Sequence, residues 1–449
     1  MSRHITLLGA GLTGPLLAIY LARRGYAVDL YERRPDMRVR DIGGGRSINL
    51  ALSTRGLDAL AGVGIDQAVL ADAIAMPGRM IHDLEGNLSL QPYGTEGQAI
   101  NSVSRAGLNM LLLDRAEREP NVTIHFSARC TGVDPGTRTV TVRDDETGDE
   151  RSFTADLLIA ADGANSSLRA SMEGMPGFTA TTEWLDHAYK ELEIPPGPDG
   201  SFMMESHALH IWPRHDFMMI ALPNPNATFT CTLFAPYEGP NGFDSIGAGD
   251  DDILAYFKTH FPDAIPMMPT LLEDWRANPT SRLGTVFCSP WHIDDWAMLI
   301  GDAAHAIVPF YGQGMNCCFE DCRVLDSLLA EESEDWREIM RRFYELRKPN
   351  ADAIARLAVA NFLEMRSKVV DPDFLRKKKI ESRLHVMFPE RWIPLYTMVT
   401  FTIIPYAEAL RRAGEQDALL DRIGVDAVES ALDEGAEKVR ELLWNEIPA

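Results

Sequence analysis

Residues 5–14 read ITLLGAGLTG, an apolar run that leads into three glycines with the spacing G-x-G-x-x-G. The residues that follow are rich in alanine and leucine, and a second apolar run occupies positions 27–31. This succession predicts a βαβ unit whose glycine turn brings the backbone close to a pyrophosphate at the helix N-terminus. Glu32 ends the second run, where a carboxylate can accept hydrogen bonds from an adenosine ribose. A dinucleotide site is therefore predicted at the start of the chain.

The composition is that of a globular protein with more than one core. The chain has 449 residues, of which 45% are hydrophobic and 24% charged, and its formal net charge is −23. Such a negative surface repels phosphate backbones and anionic lipid headgroups, which argues against nucleic acid and membranes as partners. The six cysteines lack the pattern of a secreted disulfide framework, and no signal peptide precedes the first run. We expect a soluble, cytoplasmic protein.

Apolar runs divide the chain into three parts. Strand and helix patterns alternate over residues 1–177 and return over 291–330, which predicts one Rossmann-type domain in a mixed α/β (α+β) protein. Alternating, proline-punctuated runs over 178–290 predict a β-sheet-rich substrate domain, and residues 331–449 predict a helical C-terminal region. Residues 392–406 form an apolar stretch too short to cross a membrane, and we expect a buried helical segment beside a pocket.

Two more apolar runs end in an aspartate turn. Residues 157–163 close on Asp-Gly and residues 298–302 on Gly-Asp, and each alone is as well explained by a tight turn. In this order after a Rossmann start, they resemble the FAD-dependent aromatic hydroxylases of the p-hydroxybenzoate hydroxylase type. The resemblance implies that Asp302 holds the ribityl chain of the flavin and that Asp162 faces the pyrophosphate region.

The stretch PFYGQGMN at 309–316 follows Asp302 and opens a helix. Free N–H groups at a helix N-terminus, placed at the flavin pyrimidine edge, would stabilise the negative charge of reduced flavin. The alternative is a loop that serves only the geometry of the helix start.

Four separated stretches narrow the resemblance to the kynurenine 3-monooxygenase family along nearly the whole chain. They are RSINLALS at 46–53, SRAGLN at 104–109, PFYGQGMN at 309–316 and NFLEMR at 361–366. The family implies bound FAD, NADPH as transient co-substrate, and hydroxylation of L-kynurenine by O2 to 3-hydroxy-L-kynurenine through a flavin C4a-hydroperoxide, a step of tryptophan degradation. No side-chain base is expected, because the substrate amino group already activates the ring.

The resemblance also implies individual site residues. Arg79 and Tyr93 match the positions that hold the substrate carboxylate, Asn361 and Tyr396 match the remaining amino-acid contacts, and Glu364 matches a carboxylate beside them. A guanidinium with hydroxyl and amide donors suits a carboxylate, whereas an aryl ketone requires apolar walls. The candidates for those walls, each of which could also be ordinary core, are Leu209, Ile220, Phe234, Pro309 and Phe310.

The predicted cofactor contacts cover both ends of FAD. Arg105 resembles an FAD-binding arginine of the family, and its charge would offset that of the pyrophosphate. The full predicted set is Gly9, Gly11, Leu12, Gly14, Glu32, Arg33, Ala51, Arg105, Cys130, Asp162, Asp302, Gly314, Met315 and Asn316.

Other interpretations stay open at this point. They include a hydroxylase of another aromatic amino acid or phenol, a flavin halogenase on the same fold, and a non-catalytic binding protein. The string IWPR at 211–214 does not match the paired-tryptophan motif of halogenases. A homodimer is one assembly compatible with the sequence.

Three side-chain clusters have ordinary structural interpretations. Cys318 and Cys322 share a helix face without a further ligand at zinc spacing, so buried thiols and no metal are predicted. His305 is as well explained by packing as by acid catalysis. The basic run at 376–379 is either a solvated helix face or a guide for an anionic nicotinamide cofactor.

Overall fold

The computed structural model describes residues 4–39, 49–94, 97–247, 249–331 and 335–445. The first three residues of the motif at 46–53 lie outside these ranges. A six-stranded sheet forms the first layer, and all its pairings are parallel except that of the edge strand His292–Ile293. In spatial order its strands are His292–Ile293, Ala297–Leu299, Leu157–Ala160, His4–Leu8, Ala27–Tyr31 and Val122–His125.

The predicted βαβ unit is confirmed. His4–Leu8 and Ala27–Tyr31 pair in parallel, and the helix Thr13–Arg23 joins them. Leu16, Leu17 and Leu21 on this helix are fully buried, because a parallel sheet needs its faces covered by apolar helix surfaces. The carboxyl ends of the parallel strands therefore meet at one edge, where the glycine turn lies.

A seven-stranded sheet forms the second layer. In spatial order its strands are Ser281–Ser289, Thr179–Ile194, Phe229–Pro236, Phe217–Pro223, Leu209–Arg214, Gly78–His82 and Leu88–Pro92. Only Leu209–Arg214 and Gly78–His82 pair in parallel. This sheet takes its last two strands from the N-terminal part of the chain, and the domain division at residue 178 stays a prediction.

Two three-stranded sheets complete the β structure among the described residues. One orders Leu50–Leu52, Ile100–Val103 and Ile74–Met76, and the other orders Glu150–Thr154, Thr139–Asp144 and Ala128–Asp134.

The remaining helices cover the sheets and form the C-terminal region. The α-helices before residue 331 are Thr54–Gly62, Asp66–Leu70, Arg105–Glu117, Ser167–Met172, Phe243–Ile246, Asp250–His260, Leu271–Ala277, Asp302–His305 and Gly314–Glu331. Those after it are Trp336–Ser367, Pro372–Met387, Leu395–Thr400, Tyr406–Ile423, Val425–Glu434 and Ala436–Trp444. Short 3-10 turns cover Ile265–Met267, Pro309–Tyr311 and Lys368–Val370.

Within the apolar stretch at 392–406, the helix Leu395–Thr400 follows Pro394, and the next helix begins at Tyr406 after Pro405. Within the described ranges, no helix has both the length and the apolar character needed to cross a membrane.

Candidate active site

The glycine turn leaves room for a ligand on one side only. Gly9 has a φ of +91°, and a Cβ there would lie 2.6 Å from the carbonyl oxygen of Ala161. A Cβ on Gly14 would lie 1.9 Å from the carbonyl oxygen of Gly9, so both positions require glycine. At Gly11 a Cβ would meet open space, because this residue faces a cavity.

Glu32 braces the same turn. Its carboxylate accepts hydrogen bonds from the backbone N–H of Ala10 at 2.8 Å and from Nε of Arg34 at 2.8 Å. Burial raises the pKa of Glu32, but the hydrogen bonds lower it by more than burial raises it, so the pKa lies below its usual value. The carboxylate therefore stays ionised on the cavity wall.

A second residue that holds the turn was not predicted. Nδ2 of Asn109 donates to the carbonyl oxygens of Ala10 at 3.1 Å and Gly11 at 3.0 Å. The motif SRAGLN at 104–109 contained this residue, but the sequence did not show that its helix packs beside the turn.

The two aspartate turns face the cavity together. Asp162 accepts a hydrogen bond from the backbone N–H of Ser167 at 2.7 Å through Oδ2, while its buried Oδ1 has no partner among the described residues. Burial raises the pKa of Asp162. Asp302 starts a four-residue helix after Gly301, whose φ is +61°, and also lines the cavity.

The helix Gly314–Glu331 begins at the cavity wall, where Gly312, Gly314 and Met315 line it. Asn316, predicted as a cofactor contact, is fully buried and its side chain is engaged elsewhere. Its amide nitrogen donates to the carbonyl oxygens of Ala51 and Gly312, each at 2.8 Å, and its oxygen accepts from the N–H of Ser53. Asn316 thus fixes the loop geometry instead of lining the cavity.

One continuous cavity of about 640 Å³ lies between the two large sheets and the C-terminal helices. Every predicted site residue lines it except Gly14, Asn316 and Glu364. The nucleotide residues Glu32 and Arg33 and the substrate residues Arg79 and Asn361 are therefore walls of the same space. Its volume is within the range of small-molecule sites.

The nucleotide end of the cavity fits FAD. Gly11 offers the open space a pyrophosphate needs, and the orphaned Oδ1 of Asp162 needs a donor such as a hydroxyl. The exposed cation of Arg105 and the start of the helix at Gly314 supply positive potential for the phosphates and the flavin.

Arg79 lies at the other end within an aromatic cluster. Its guanidinium carbon is 5.3 Å from the ring centre of Tyr93 and 5.5 Å from that of Tyr396, and these two rings stack at 4.9 Å. Burial lowers the pKa of Arg79, but Tyr93 and Glu364 raise it, and the net shift is upward. A largely buried, permanent cation is thus available to a carboxylate.

Apolar side chains line the cavity between this cation and the nucleotide end. Phe310 stacks on Phe362 with ring centres 4.0 Å apart and meets Phe234 at 4.9 Å. Asn361 donates to the carbonyl oxygen of Phe310 at 2.8 Å, so it also holds this wall in place. Phe234 and Phe310 thus give this part of the cavity an aromatic surface against which another ring can pack.

Several lining residues were not predicted. Tyr311 stacks on Tyr396 with ring centres 5.5 Å apart, and Thr232 has a buried hydroxyl without a partner in the described ranges. Strand periodicity could have found others, because side chains two apart share a sheet face. Additional apolar lining residues include Ile100, Ile211, Met218, Leu222 and Met365.

A buried histidine pair fastens the strand that carries Arg79. Nε2 of His210 lies 2.7 Å from the carbonyl oxygen of Glu205, so it must donate, and Nδ1 of His210 accepts from Nε2 of His82 at 2.8 Å. Nδ1 of His82 in turn lies 2.6 Å from a carboxylate oxygen of Asp263. The pair joins the strands Gly78–His82 and Leu209–Arg214.

The other predicted clusters have structural partners. His305 lies 2.6 Å from Asp321, as the packing interpretation expects, and the cysteines are free thiols, with Cys318 and Cys322 buried. The basic run is largely neutralised within the chain. Arg376 pairs with Asp426 and Glu429, and Lys377 pairs with Asp417 at 2.6 Å. These pairs favour a structural role over guidance of a nicotinamide cofactor.

Comparison with known proteins extends these observations. The model of the family described as FAD binding domain matches residues 4–358. The chain is 48% identical over 440 residues to the kynurenine 3-monooxygenase of Myxococcus xanthus (strain DK1622), which covers 98% of this chain and 94% of that protein. It is 44% identical over 422 residues to the kynurenine 3-monooxygenase of Flavobacterium psychrophilum, which covers 94% of each chain.

Solved structures share the fold at lower identity. A tetrameric form of 2-methyl-3-hydroxypyridine-5-carboxylic acid oxygenase superposes with a TM-score of 0.66 at 23% identity, over 84% of this chain and 95% of that one. PqsL of P. aeruginosa superposes with a TM-score of 0.65 at 18% identity, over 83% and 100%. Because the family match and the near-full-length relatives agree, the chain belongs to the kynurenine 3-monooxygenase family of FAD-dependent monooxygenases.

Proposed function

We propose that this protein hydroxylates L-kynurenine to 3-hydroxy-L-kynurenine, with O2 as oxygen donor and NADPH as reductant. In the balanced reaction, L-kynurenine, O2, NADPH and one proton give 3-hydroxy-L-kynurenine, NADP+ and water. The observation that carries the proposal is the position of Arg79. This largely buried cation, whose side chain is 12% exposed, lies at one end of a cavity whose other end fits FAD.

Different residues of the cavity contact different parts of the substrate. Arg79 binds the carboxylate, with Tyr93 and Tyr396 beside it, and Asn361 completes the contacts with the amino-acid head. Leu209, together with the other apolar walls already described, receives the aryl ketone and excludes water. A head fixed at Arg79 sets how far the ring extends towards the flavin end, and so which ring carbon is presented there.

When bound, FAD would accept a hydride from NADPH and activate O2. Asp302 would hold its ribityl chain, and the N–H groups at the start of Gly314–Glu331 would stabilise negative charge at its pyrimidine edge. Cys130, Leu12 and Ala51 line the same end and would contact the remainder of the cofactor.

The purified protein tests the proposal directly. Flavin absorbance should accompany the protein, and L-kynurenine should accelerate NADPH oxidation. With ¹⁸O2 the product should gain one heavy oxygen. Turnover of a simple phenol at the same rate would favour the broader aromatic hydroxylases, a halogenated product in the presence of bromide would favour a halogenase, and a colourless preparation would refute the flavoenzyme.

Three finer statements stay predictions. A preference for NADPH over NADH is tested by comparing the two reductants at equal concentration. A homodimer is tested by light scattering of the eluting protein, and a cytoplasmic location by fractionation of cells.

A further inference from the structure

A chain of charged side chains, all buried except the 15% exposed Glu320, contacts segments that line the cavity. It begins at Arg55, whose side chain is fully buried and whose Nη1 donates to Glu320 at 2.6 Å. The second oxygen of Glu320 accepts from Nη1 of Arg347 at 2.6 Å. Arg347 also donates to Asp321 at 2.6 Å.

The first end of this chain holds the segment of Tyr396. Nε of Arg55 donates to the carbonyl oxygen of Val399 at 3.1 Å, and Nη2 donates to those of Met398 and Ile404. The guanidinium carbon also lies 3.9 Å from the ring centre of Tyr406. Arg55 thus occupies the turn between the helices Leu395–Thr400 and Tyr406–Ile423.

The carbonyl contacts matter because the helix Leu395–Thr400 is only six residues long. So short a helix has little stability of its own, and the last carbonyl groups of any helix lack partners within it. A cation at this end satisfies those groups and opposes the negative end of the helix dipole. Tyr396 is the second residue of this helix and lines the cavity.

The far end of this chain of charges contacts the Asp302 turn at the flavin end of the cavity. Oδ2 of Asp321 accepts a hydrogen bond from the backbone N–H of Gly301 at 3.1 Å, directly before Asp302. The same oxygen lies 2.6 Å from Nε2 of His305. The carboxylates of Glu320 and Asp321 lie side by side on the helix Gly314–Glu331 and share Arg347.

We propose that Arg55 is a positioning residue that fixes Tyr396 at the substrate end of the cavity, and that Asp321 has the matching role for the Asp302 turn at the flavin end. Glu320 and Arg347 link the two through hydrogen bonds, and each end holds its own segment of the cavity wall. The assignment of Tyr396 to the substrate rests on the proposed function. The placement of its helix does not, and it can be measured without substrate.

The test compares Arg55→Met and Arg55→Lys in the FAD-loaded protein. In Arg55→Met, three carbonyl groups lose the guanidinium as a hydrogen-bond donor, and Glu320 loses one of its two arginine partners. Hydrogen exchange over residues 395–404 should therefore accelerate by about ten-fold or more. KM for L-kynurenine should rise by about ten-fold, while kcat at saturating substrate and flavin content change by less than about three-fold. Arg55→Lys, which keeps the charge, should recover part of both effects.

Asp321→Asn should affect the flavin end of the cavity and not the substrate end. It should shift the flavin absorbance spectrum or weaken FAD retention with little change in KM. Arg411→Met serves as the control, since Arg411 is an exposed residue of the neighbouring helix and pairs with Glu408 on the surface. It should change neither readout.

The proposal would be overturned if hydrogen exchange over residues 395–404 in Arg55→Met were as slow as in the wild type. It would also be overturned if Arg55→Met and Arg411→Met changed the exchange rate and KM by the same amount. So would loss of flavin from Arg55→Met with KM unaffected. If Arg55→Met does not fold, Arg55→Lys and Glu320→Gln give the same two readouts with milder changes. A wild-type protein that does not turn over L-kynurenine would refute the proposed function, and the exchange measurement would still decide the role of Arg55.

Discussion

Oε1 of Glu364 lies 3.8 Å from Nη1 of Arg79, so an anion and a cation stand side by side at the substrate end of the cavity. An amino acid carries a carboxylate and an ammonium on one carbon. Arg79 lines the cavity and can meet the carboxylate, and the charge of Glu364 beside it, outside the cavity lining, attracts the ammonium at longer range. We predict that Glu364→Gln weakens binding of L-kynurenine several-fold but does not affect 3-(2-aminobenzoyl)propionate, which lacks the ammonium. Titration of the flavin absorbance measures both affinities. Equal loss for the two ligands would contradict the pairing.

Arg79 itself should contribute more. Arg79→Ala removes the buried cation, and we predict at least a ten-fold loss of L-kynurenine affinity, about 1.4 kcal/mol or more. Arg79→Lys should recover only part, because an ammonium lacks the planar fork of the guanidinium. Arg138→Ala, an exposed arginine paired with Asp295, is the control and should bind normally. Normal binding by Arg79→Ala would reject the assignment.

Gly14→Ala should release the cofactor. Its Cβ would lie 1.9 Å from the carbonyl oxygen of Gly9, so the turn must open and its N–H groups must move. We expect the purified variant to be largely colourless, with the flavin content measured after heat release. Gly414→Ala is the control, because a Cβ at that helical position meets open space. Full flavin content in Gly14→Ala would contradict the predicted geometry.

His210 should make stability depend on pH. Burial lowers its pKa from 6.5 to about 4. The unfolded chain therefore binds this proton first as the pH falls, so this contribution to stability is complete above about pH 6.5 and is lost towards pH 4. His210→Gln should show a smaller decrease of Tm between pH 7 and pH 4 by calorimetry, whereas the exposed His207→Gln should match the wild type. An unchanged slope in His210→Gln would contradict this.

The nucleotide end of the site was predictable because its signals are local. The glycine turn, the helix after it and Glu32 are contiguous in the chain, and the rules for a βαβ unit act over such distances. The structure adds what the motif could not show, which is that Asn109 donates to the turn from a separate helix.

The substrate end depends on long-range packing. Arg79 was found through resemblance, since an isolated arginine carries no local signal of burial. Tyr311 and Arg55 were missed for the same reason, because their partners Tyr396 and Ile404 lie far along the chain. Asn316 differs, and its contact with the cofactor stays a prediction. Its motif was found, but its side chain is used by the loop instead of facing the cavity.

The continuous cavity of about 640 Å³, which cofactor and substrate would share, suggests an order in which the two bind. No described side chain closes the space between Phe310 and the glycine turn, so a flavin held there would form the remaining wall of the substrate pocket. The apoprotein offers an aromatic ligand contacts on fewer sides, and dispersion attraction is lost wherever a partner surface is missing. We therefore expect cofactor loading to precede tight substrate binding, and inhibitors selected against the apoprotein to fit a differently shaped pocket from that of the FAD-loaded protein.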